Sequence, residues 1–399
     1  MKRPKSEIQM LTLIKQADIY LPEPFGTGDL LFAGKQILAI EESIELNTNA
    51  PVKVINANGM KLMPGLVDSL VHITGGGGEG GFHTRTPQMN LSDATVNGIT
   101  TCVGVLGTDA TTRSLPDLLA KARALSHEGI SVYCHTGSYQ VPVTTITGNV
   151  RDDIILIPEF IGVGEVAIAD HRSSCPSMEE MRRIAAEARV GGMLSGKKGI
   201  VSIHMGDSRD FLSLLHEVVE HSDIPASQFY PTHINRNQGL LEDSKAWARR
   251  GGYLDLTTST TEMDLANGEP RCSDALAELL DDGVAIEQIT FSSDGHASLP
   301  VFNPKGELTG LKVGSEKSLW TEVQLAVTQN EVAFETAIKV VTSSPAAVLG
   351  LAHKGRLNVG NDADLLLLDP DSLDIRTVIA KGQIMVEDAV PVVKGTFET

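Results

Sequence analysis

Eight short apolar runs recur through the middle of the chain about every 30 residues, with helix-forming segments between them. They are Gly65–Val71, Ile99–Val105, Ile130–Cys134, Phe160–Val166, Ile200–Ile203, Phe229–Thr232, Tyr253–Leu256 and Ile289–Ser292. Intervening stretches such as Met178–Ala188 carry helix formers at helical spacing. Eight strand-plus-helix units over about 285 residues predict an α/β chain with a (β/α)8 TIM-like barrel. The two ends read differently. Leu11–Ile14, Asp29–Ala33 and Gln36–Ile40 near the start are short strands parted by turn residues such as Gly26, Gly28 and Gly34. Ala363–Asp369, Ile375–Ala380 and Gln383–Val386 near the end look alike. The expected organisation is therefore a small β-sandwich domain from residues 1–63 plus 353–399, and a barrel over 64–352. The chain shows no internal repeat, low-complexity tract or heptad run.

Composition limits what such a molecule does. Hydrophobic residues at 41% with 21% charged describe a soluble globular chain rather than a disordered one. No apolar run approaches the roughly 18 residues of a membrane span. Asp and Glu number 51 against 33 Lys and Arg, for a net charge of −18, which argues against a nucleic-acid partner. That balance leaves an anion-binding pocket open, because net charge governs solubility and steering rather than a local site. Cys102, Cys134, Cys175 and Cys272 form no Cys-x-x-Cys pair, so neither a disulfide framework nor a cysteine zinc knuckle is expected. The basic start lacks an apolar stretch and a small-residue cleavage site, which makes cytoplasmic the expected compartment.

Working residues in barrels of this kind sit at the C-terminal ends of strands. Those ends hold His72 after the first strand, Glu165 in the fourth, His204 after the fifth, His233 after the sixth and Asp294 after the eighth. Two imidazoles and a carboxylate from neighbouring strands suit a zinc-type divalent ion with one open position. The ion would acidify a water there, and Asp294 would take that water's proton and pass it to the leaving group. The reaction class is metal-assisted hydrolysis of an amide or related bond. Taken singly, each histidine is more often a surface or core residue, and Glu165 could pair with an arginine. The coincidence of position is what lifts the set.

At these residues the chain resembles the amidohydrolase superfamily and, within it, the isoaspartyl dipeptidase family. The resemblance covers nearly the whole chain. It runs through Pro64–Asp68 into His72, Gly75–Glu79, Thr84–Pro87, Gly107–Asp109 and Thr145–Gly148. It continues with Asp170–Ser173, His204–Ser208, Pro231–Asn237, Ser292–Gly295, Gly360–Leu365 and Lys394–Glu398. The resemblance implies hydrolysis of dipeptides whose aspartate is linked through its side chain, with zinc as cofactor and a homo-oligomeric assembly. It implies that His204 and His233 bind metal and that Asp294 is the catalytic carboxylate. Glu79 would hold the substrate's α-amino group and assist catalysis, and Tyr139 would polarise the scissile carbonyl. Arg172 and Arg236 would bind substrate carboxylates, with smaller contacts from Gly77, Gly78, Thr108 and Ser298. On their own, the glycines could be a plain turn, the arginines ion-pair partners and Tyr139 a packing residue at the rim.

Two positions depart from the pattern. The superfamily's first strand normally ends His-x-His, whereas here Leu70 precedes His72 by two residues. The fourth strand normally carries a carboxylated lysine that bridges two metals, whereas here it carries Glu165. Glutamate is already a carboxylate, but its shorter stem bridges ions about 3.5–4 Å apart less readily. N-acetylglucosamine-6-phosphate deacetylases of the superfamily resemble this arrangement. One ion is therefore expected, held by Glu165, His204 and His233, with a metal-bound hydroxide as nucleophile. His72 with Asp294 would make at most a weak second site. Two other readings stay open: a mononuclear amidohydrolase for another N-acyl or amide substrate, and a non-catalytic binding homologue.

Overall fold

The computed structural model describes residues 10–302 and 308–399. Residues 1–9, which include much of the basic start, lie outside the described residues. The middle of the chain contains β1 (Leu66–Val71), β2 (Ile99–Gly104), β3 (Ser131–Thr136), β4 (Phe160–Ile168), β5 (Ile200–Met205), β6 (Phe229–Thr232), β7 (Leu254–Thr257) and β8 (Ile289–Ser292). These strands fall on the eight expected runs. Helices separate most of them; the helix Met178–Ser195 covers the segment with helical spacing. Ser177 and Glu180 close its first turn as a reciprocal capping box, and Met181, Ile184, Ala185 and Ala188 form its buried stripe.

Strands β1 to β6 form a parallel sheet in chain order, and β7 pairs with β8 in parallel. The sheet is curled. Val71 at the end of β1 bridges to Gly295 beyond β8, and the His72 amide donates to the Gly295 carbonyl at 2.9 Å. Between β6 and β7 a side chain takes over from the backbone. The Asn235 amide accepts from the Thr257 N–H at 2.8 Å and donates to the Thr257 carbonyl at 3.1 Å.

The outer faces of the strands pack against helices, which accounts for residues such as Cys102, Cys134, Val163, Val201 and Ile203 in the largest apolar cluster. The inner faces change character along their length. Val67, Val103, Ile161 and Ile200 meet Val348, Leu349 and Leu351 in an apolar plug. Beyond it lies a buried carboxylate, Asp255 on β7. Its oxygens accept hydrogen bonds from Thr290 Oγ1 at 2.6 Å, Thr232 Oγ1 at 2.7 Å and Tyr230 Oη at 3.0 Å, and also from Ser292 Oγ. Ser69 on β1 reaches the same group at 3.4 Å. Burial pushes the Asp255 pKa up to about 6, against the opposing pull of these hydroxyls.

The ends of the chain share one nine-stranded sheet. Strand Lys61–Pro64 lies between the parallel Leu11–Tyr20 and the antiparallel Leu365–Leu368, which is how the two termini meet. Leu365 and Leu367 pack into this sheet's own core with Ile14, Ile19 and Phe32, while Leu366 and Leu368 face the helix-covered cluster. Period-two alternation in a run of four leucines thus joins two cores. Among the described residues no helix is long and apolar enough to cross a membrane.

Asp255→Asn is expected to lower the thermal unfolding midpoint, at a cost of about 1–3 kcal/mol, because an amide nitrogen cannot accept from the hydroxyls now bonded to that oxygen. Thermal unfolding of the variant beside the parent checks this; an unchanged midpoint would show that the hydroxyls find other acceptors.

Candidate active site

The strand ends converge on Glu165. It is fully buried on β4, and neither carboxylate oxygen has a hydrogen-bond partner. His204 Nδ1 stands 3.4 Å and His233 Nε2 3.6 Å from Glu165 Oε1, and the two imidazole nitrogens lie 3.0 Å apart. One ligand atom from each of the three residues falls within 4.8 Å of the others. Outer contacts orient both rings. His204 Nε2 lies 3.1 Å from Asp170 Oδ2, and His233 Nδ1 lies 2.7 Å from Thr257 Oγ1. Each ring thus turns one nitrogen outward to a partner and the other inward toward Glu165. Burial, with the charges of His204 and Arg236, pulls the His233 pKa down to about 4. Burial pushes Glu165 up, but its contacts with His204 and His233 outweigh burial and hold the carboxyl well below the usual range. A neutral imidazole and an ionised carboxylate with uncommitted oxygens are what a divalent cation requires.

Asp294 and His72 stand beside this group. Asp294 Oδ1 is 3.1 Å from His72 Nε2, whose other approach is to Glu165 Oε2 at 4.0 Å. Burial raises the Asp294 pKa, yet His72 and His233 bring it below the ordinary value, so it is a carboxylate. Gly107 explains how His72 fits. A Cβ there would stand 2.6 Å from His72 Cε1, and its φ of +73° favours glycine. Leu70 is buried, offers no ligand atom, and leaves His72 as the imidazole of β1 in this site.

A cavity of about 570 Å³ opens above these groups, lined among others by His72, Gly77, Glu79, Thr108, Tyr139, Arg172, His204, His233, Arg236, Asp294 and Ser298. Gly78 is not among the lining residues, and Glu165 lies beneath the floor. The Tyr139 hydroxyl is 2.7 Å from His204 Nδ1, and burial holds its pKa well above the ordinary value, so it keeps its proton. Glu79 Oε1 accepts from Thr108 Oγ1 at 2.9 Å and faces Arg172 Nη1 at 3.4 Å. Gly77 has φ +68°, and a Cβ there would lie 2.6 Å from the Ser298 Cβ, so only glycine lets this loop close on Ser298. The two arginines differ. Arg236 Nε makes no hydrogen bond and is 4.0 Å from Asp207. Arg172 is engaged by Asp170 through Nε at 3.0 Å and Nη2 at 2.8 Å, which leaves Nη1 toward Glu79.

Reading strand ends brings together the metal-type ligands and Asp294 but misses the groups that orient them. Asp170 is quoted within a motif yet carries no expected role, and Thr257 carries no signal in the sequence. Asp170 holds Arg172 and His204 at once. The Asp-x-Arg spacing after β4 is the one sequence signal that points to this contact. A second omission is His135 on β3, fully buried with neither ring nitrogen partnered.

Burial lowers the His135 pKa to about 4, as it does that of His233. At these two positions the folded chain therefore binds fewer protons than the unfolded chain between pH 6.5 and 4, so they lower its stability as pH falls through that window. His135→Gln is expected to flatten the fall in the thermal midpoint of chelator-treated protein from pH 6.5 to 4, by an amount on the order of 1–3 kcal/mol. Melting curves at several pH values check this; parallel curves for parent and variant would remove His135 from the effect.

The sequence profile of the amidohydrolase family matches residues 62–388. A β-aspartyl dipeptidase from Fervidobacterium islandicum AW-1, solved with β-Asp-Leu bound, is 42% identical, with 96% of this chain and 98% of that one aligned at a TM-score of 0.88. A dihydroorotase from Lactobacillus gasseri is 25% identical over 404 positions, covering 90% of this chain and 89% of that protein. N-acetylglucosamine-6-phosphate deacetylase from Pasteurella multocida shares the fold at 14% identity and a TM-score of 0.60, over 95% of this chain and all of that one. With the profile spanning most of its length, the chain belongs to the amidohydrolase family and is a hydrolase from the part of it that contains the β-aspartyl dipeptidases.

Proposed function

We propose that the chain hydrolyses β-aspartyl dipeptides with one zinc-type ion held by Glu165, His204 and His233. The observation that carries this reading is the buried Glu165 carboxylate, whose oxygens lack any donor and face two inward imidazole nitrogens at the cavity floor. The wider architecture we read as a (β/α)8 barrel over residues 64–352, with a β-sandwich domain from 1–63 and 353–399. When bound, the ion supplies Lewis acidity toward the scissile carbonyl and lowers the pKa of a water.

The chain's own residues divide the remaining work. Asp294, ionised and beside His72, accepts a proton at Oδ1 and returns it to the departing amine. Tyr139, a protonated phenol at the same floor, donates a hydrogen bond to the carbonyl oxygen as negative charge develops there. Arg236, with an uncommitted Nε, grips a substrate carboxylate. Arg172 contributes Nη1 beside Glu79, and Glu79 meets the α-amino group. Because Asp170 already occupies two Arg172 donors, Arg236 is the stronger carboxylate anchor. Gly77, Thr108 and Ser298 shape the wall, and Gly78 serves the loop's path. His72 keeps Asp294 charged and, with it, provides at most a weak second cation position. The Fervidobacterium enzyme solved with β-Asp-Leu supports this substrate class.

Metal content per chain, measured beside hydrolysis of β-Asp-Leu, tests the reading. One ion per chain with turnover is expected, whereas two tightly held ions would overturn the mononuclear assignment. Asp294→Asn is expected to lower kcat by about 100- to 10,000-fold with metal retained, the range for losing a general acid–base group. Arg236→Met is expected to raise KM at least about tenfold, more than Arg172→Met does. Faster turnover of N-acetyl amino acids than of β-Asp-Leu would redirect the substrate assignment.

A further inference from the structure

Asp68 lies outside the cavity, fully buried in β1, yet its contacts run to the segment that presents Asp294. One oxygen accepts from the Ser293 backbone N–H at 3.1 Å, and the other accepts from the Ser293 hydroxyl. That hydroxyl oxygen in turn accepts from the Gly295 N–H at 2.9 Å. The amides on both sides of Asp294 are thus tied to one carboxylate, across 225 residues of sequence. Between them Asp294 has φ +50°, a left-handed conformation that L-residues other than glycine seldom adopt. The Gly295 carbonyl meets the His72 N–H from the other direction at 2.9 Å. A turn held at these points, and closed by the Ala297 N–H on the Asp294 carbonyl at 3.1 Å, therefore sets the Asp294 carboxylate 3.1 Å from His72 Nε2.

We propose that Asp68, acting through the Ser293 hydroxyl, is a positioning residue that holds Asp294 in its left-handed turn and so aims its carboxylate into the site. The proposal rests on the catalytic role assigned to Asp294 above. Asp68 touches neither substrate nor metal; its effect passes through Ser293. Without the hydroxyl, the Gly295 N–H loses its acceptor, and the hold against relaxation toward an ordinary φ is weakened to the Ala297 N–H on the Asp294 carbonyl at 3.1 Å and the backbone contacts of Ser293 and Gly295. A shift of about 1 Å in a reacting group is enough to cost on the order of 100-fold in rate. The same loss leaves Glu165, His204, His233 and Arg236 untouched, so binding of metal and substrate should persist.

The test uses Ser293→Ala, Ser293→Thr and Asp68→Asn in the full metal-loaded chain. S293A is expected to lower kcat on β-Asp-Leu by about 10- to 100-fold, with KM within about twofold of the parent and metal content unchanged. S293T, which keeps the hydroxyl, should recover most of that loss. The double variant D68N/S293A should be no slower than the worse single variant, because both act through one contact. Hydrogen exchange of the peptide containing Gly295 should quicken in S293A and return toward the parent in S293T. Unchanged kcat in folded S293A, an S293T as slow as S293A, or multiplicative losses in the double variant would each overturn the proposal. Should the parent not hydrolyse β-Asp-Leu, the reaction assignment fails on its own. The bracket is then judged by exchange alone, and equal exchange in parent and S293A refutes it.

Discussion

A carboxylate that is buried, charged and without hydrogen-bond donors is the constraint on which the rest of this molecule turns. Glu165 sits at the centre of the curled sheet with both oxygens unpaired, and solvent cannot reach it. In a protein interior such a group either takes a proton or meets positive charge. The surroundings favour charge, since His204, His233 and His72 approach it from three other strand ends and keep its pKa low. The orienting contacts of Asp170 and Thr257 aim the outer faces of two of those rings away from it. The arrangement is costly as bare protein and suited to a cation. That is the physical content of the proposed mononuclear site.

The interior below the site is built to hold such a group still. Just where the apolar plug ends, two buried acids, Asp255 and Asp68, gather hydroxyls from the neighbouring strands. Asp255 draws hydroxyls from β6 and β8, including Thr232 immediately before His233. Asp68 does the same for Ser293 immediately before Asp294. Buried networks of this kind fix geometry when their members are satisfied. Two side chains of the candidate site, His233 and Asp294, thus follow residues that are themselves pinned by buried acids.

Local pattern carried much of this into view. Eight apolar runs located eight strands, because strands covered on both faces are apolar at nearly every position. The alternation in Leu365–Leu368 is less legible, since four leucines in a row do not reveal which pair serves which core. Strand ends located Glu165, His204, His233 and Asp294, because parallel strands deliver the residues after them to one rim. What escaped were pairings between distant segments. The contact of Asp170 with His204, the Asn235 side chain that joins β6 to β7, and the tie from Asp68 to Ser293 follow no spacing rule. Each depends on where two loops or strands come to rest.

Residue identity and hydrophobic period are local properties, and they set the order of strands along the chain, the chemistry available at strand ends, and the two departures at Leu70 and Glu165. Only the tertiary structure decided that the Glu165 oxygens lack donors, that Arg236 is freer than Arg172, and that Asp294 occupies a left-handed turn. These are consequences of distance and burial. They arise when segments tens to hundreds of residues apart close around a space of a few ångströms, and no pattern along the chain encodes them one residue at a time.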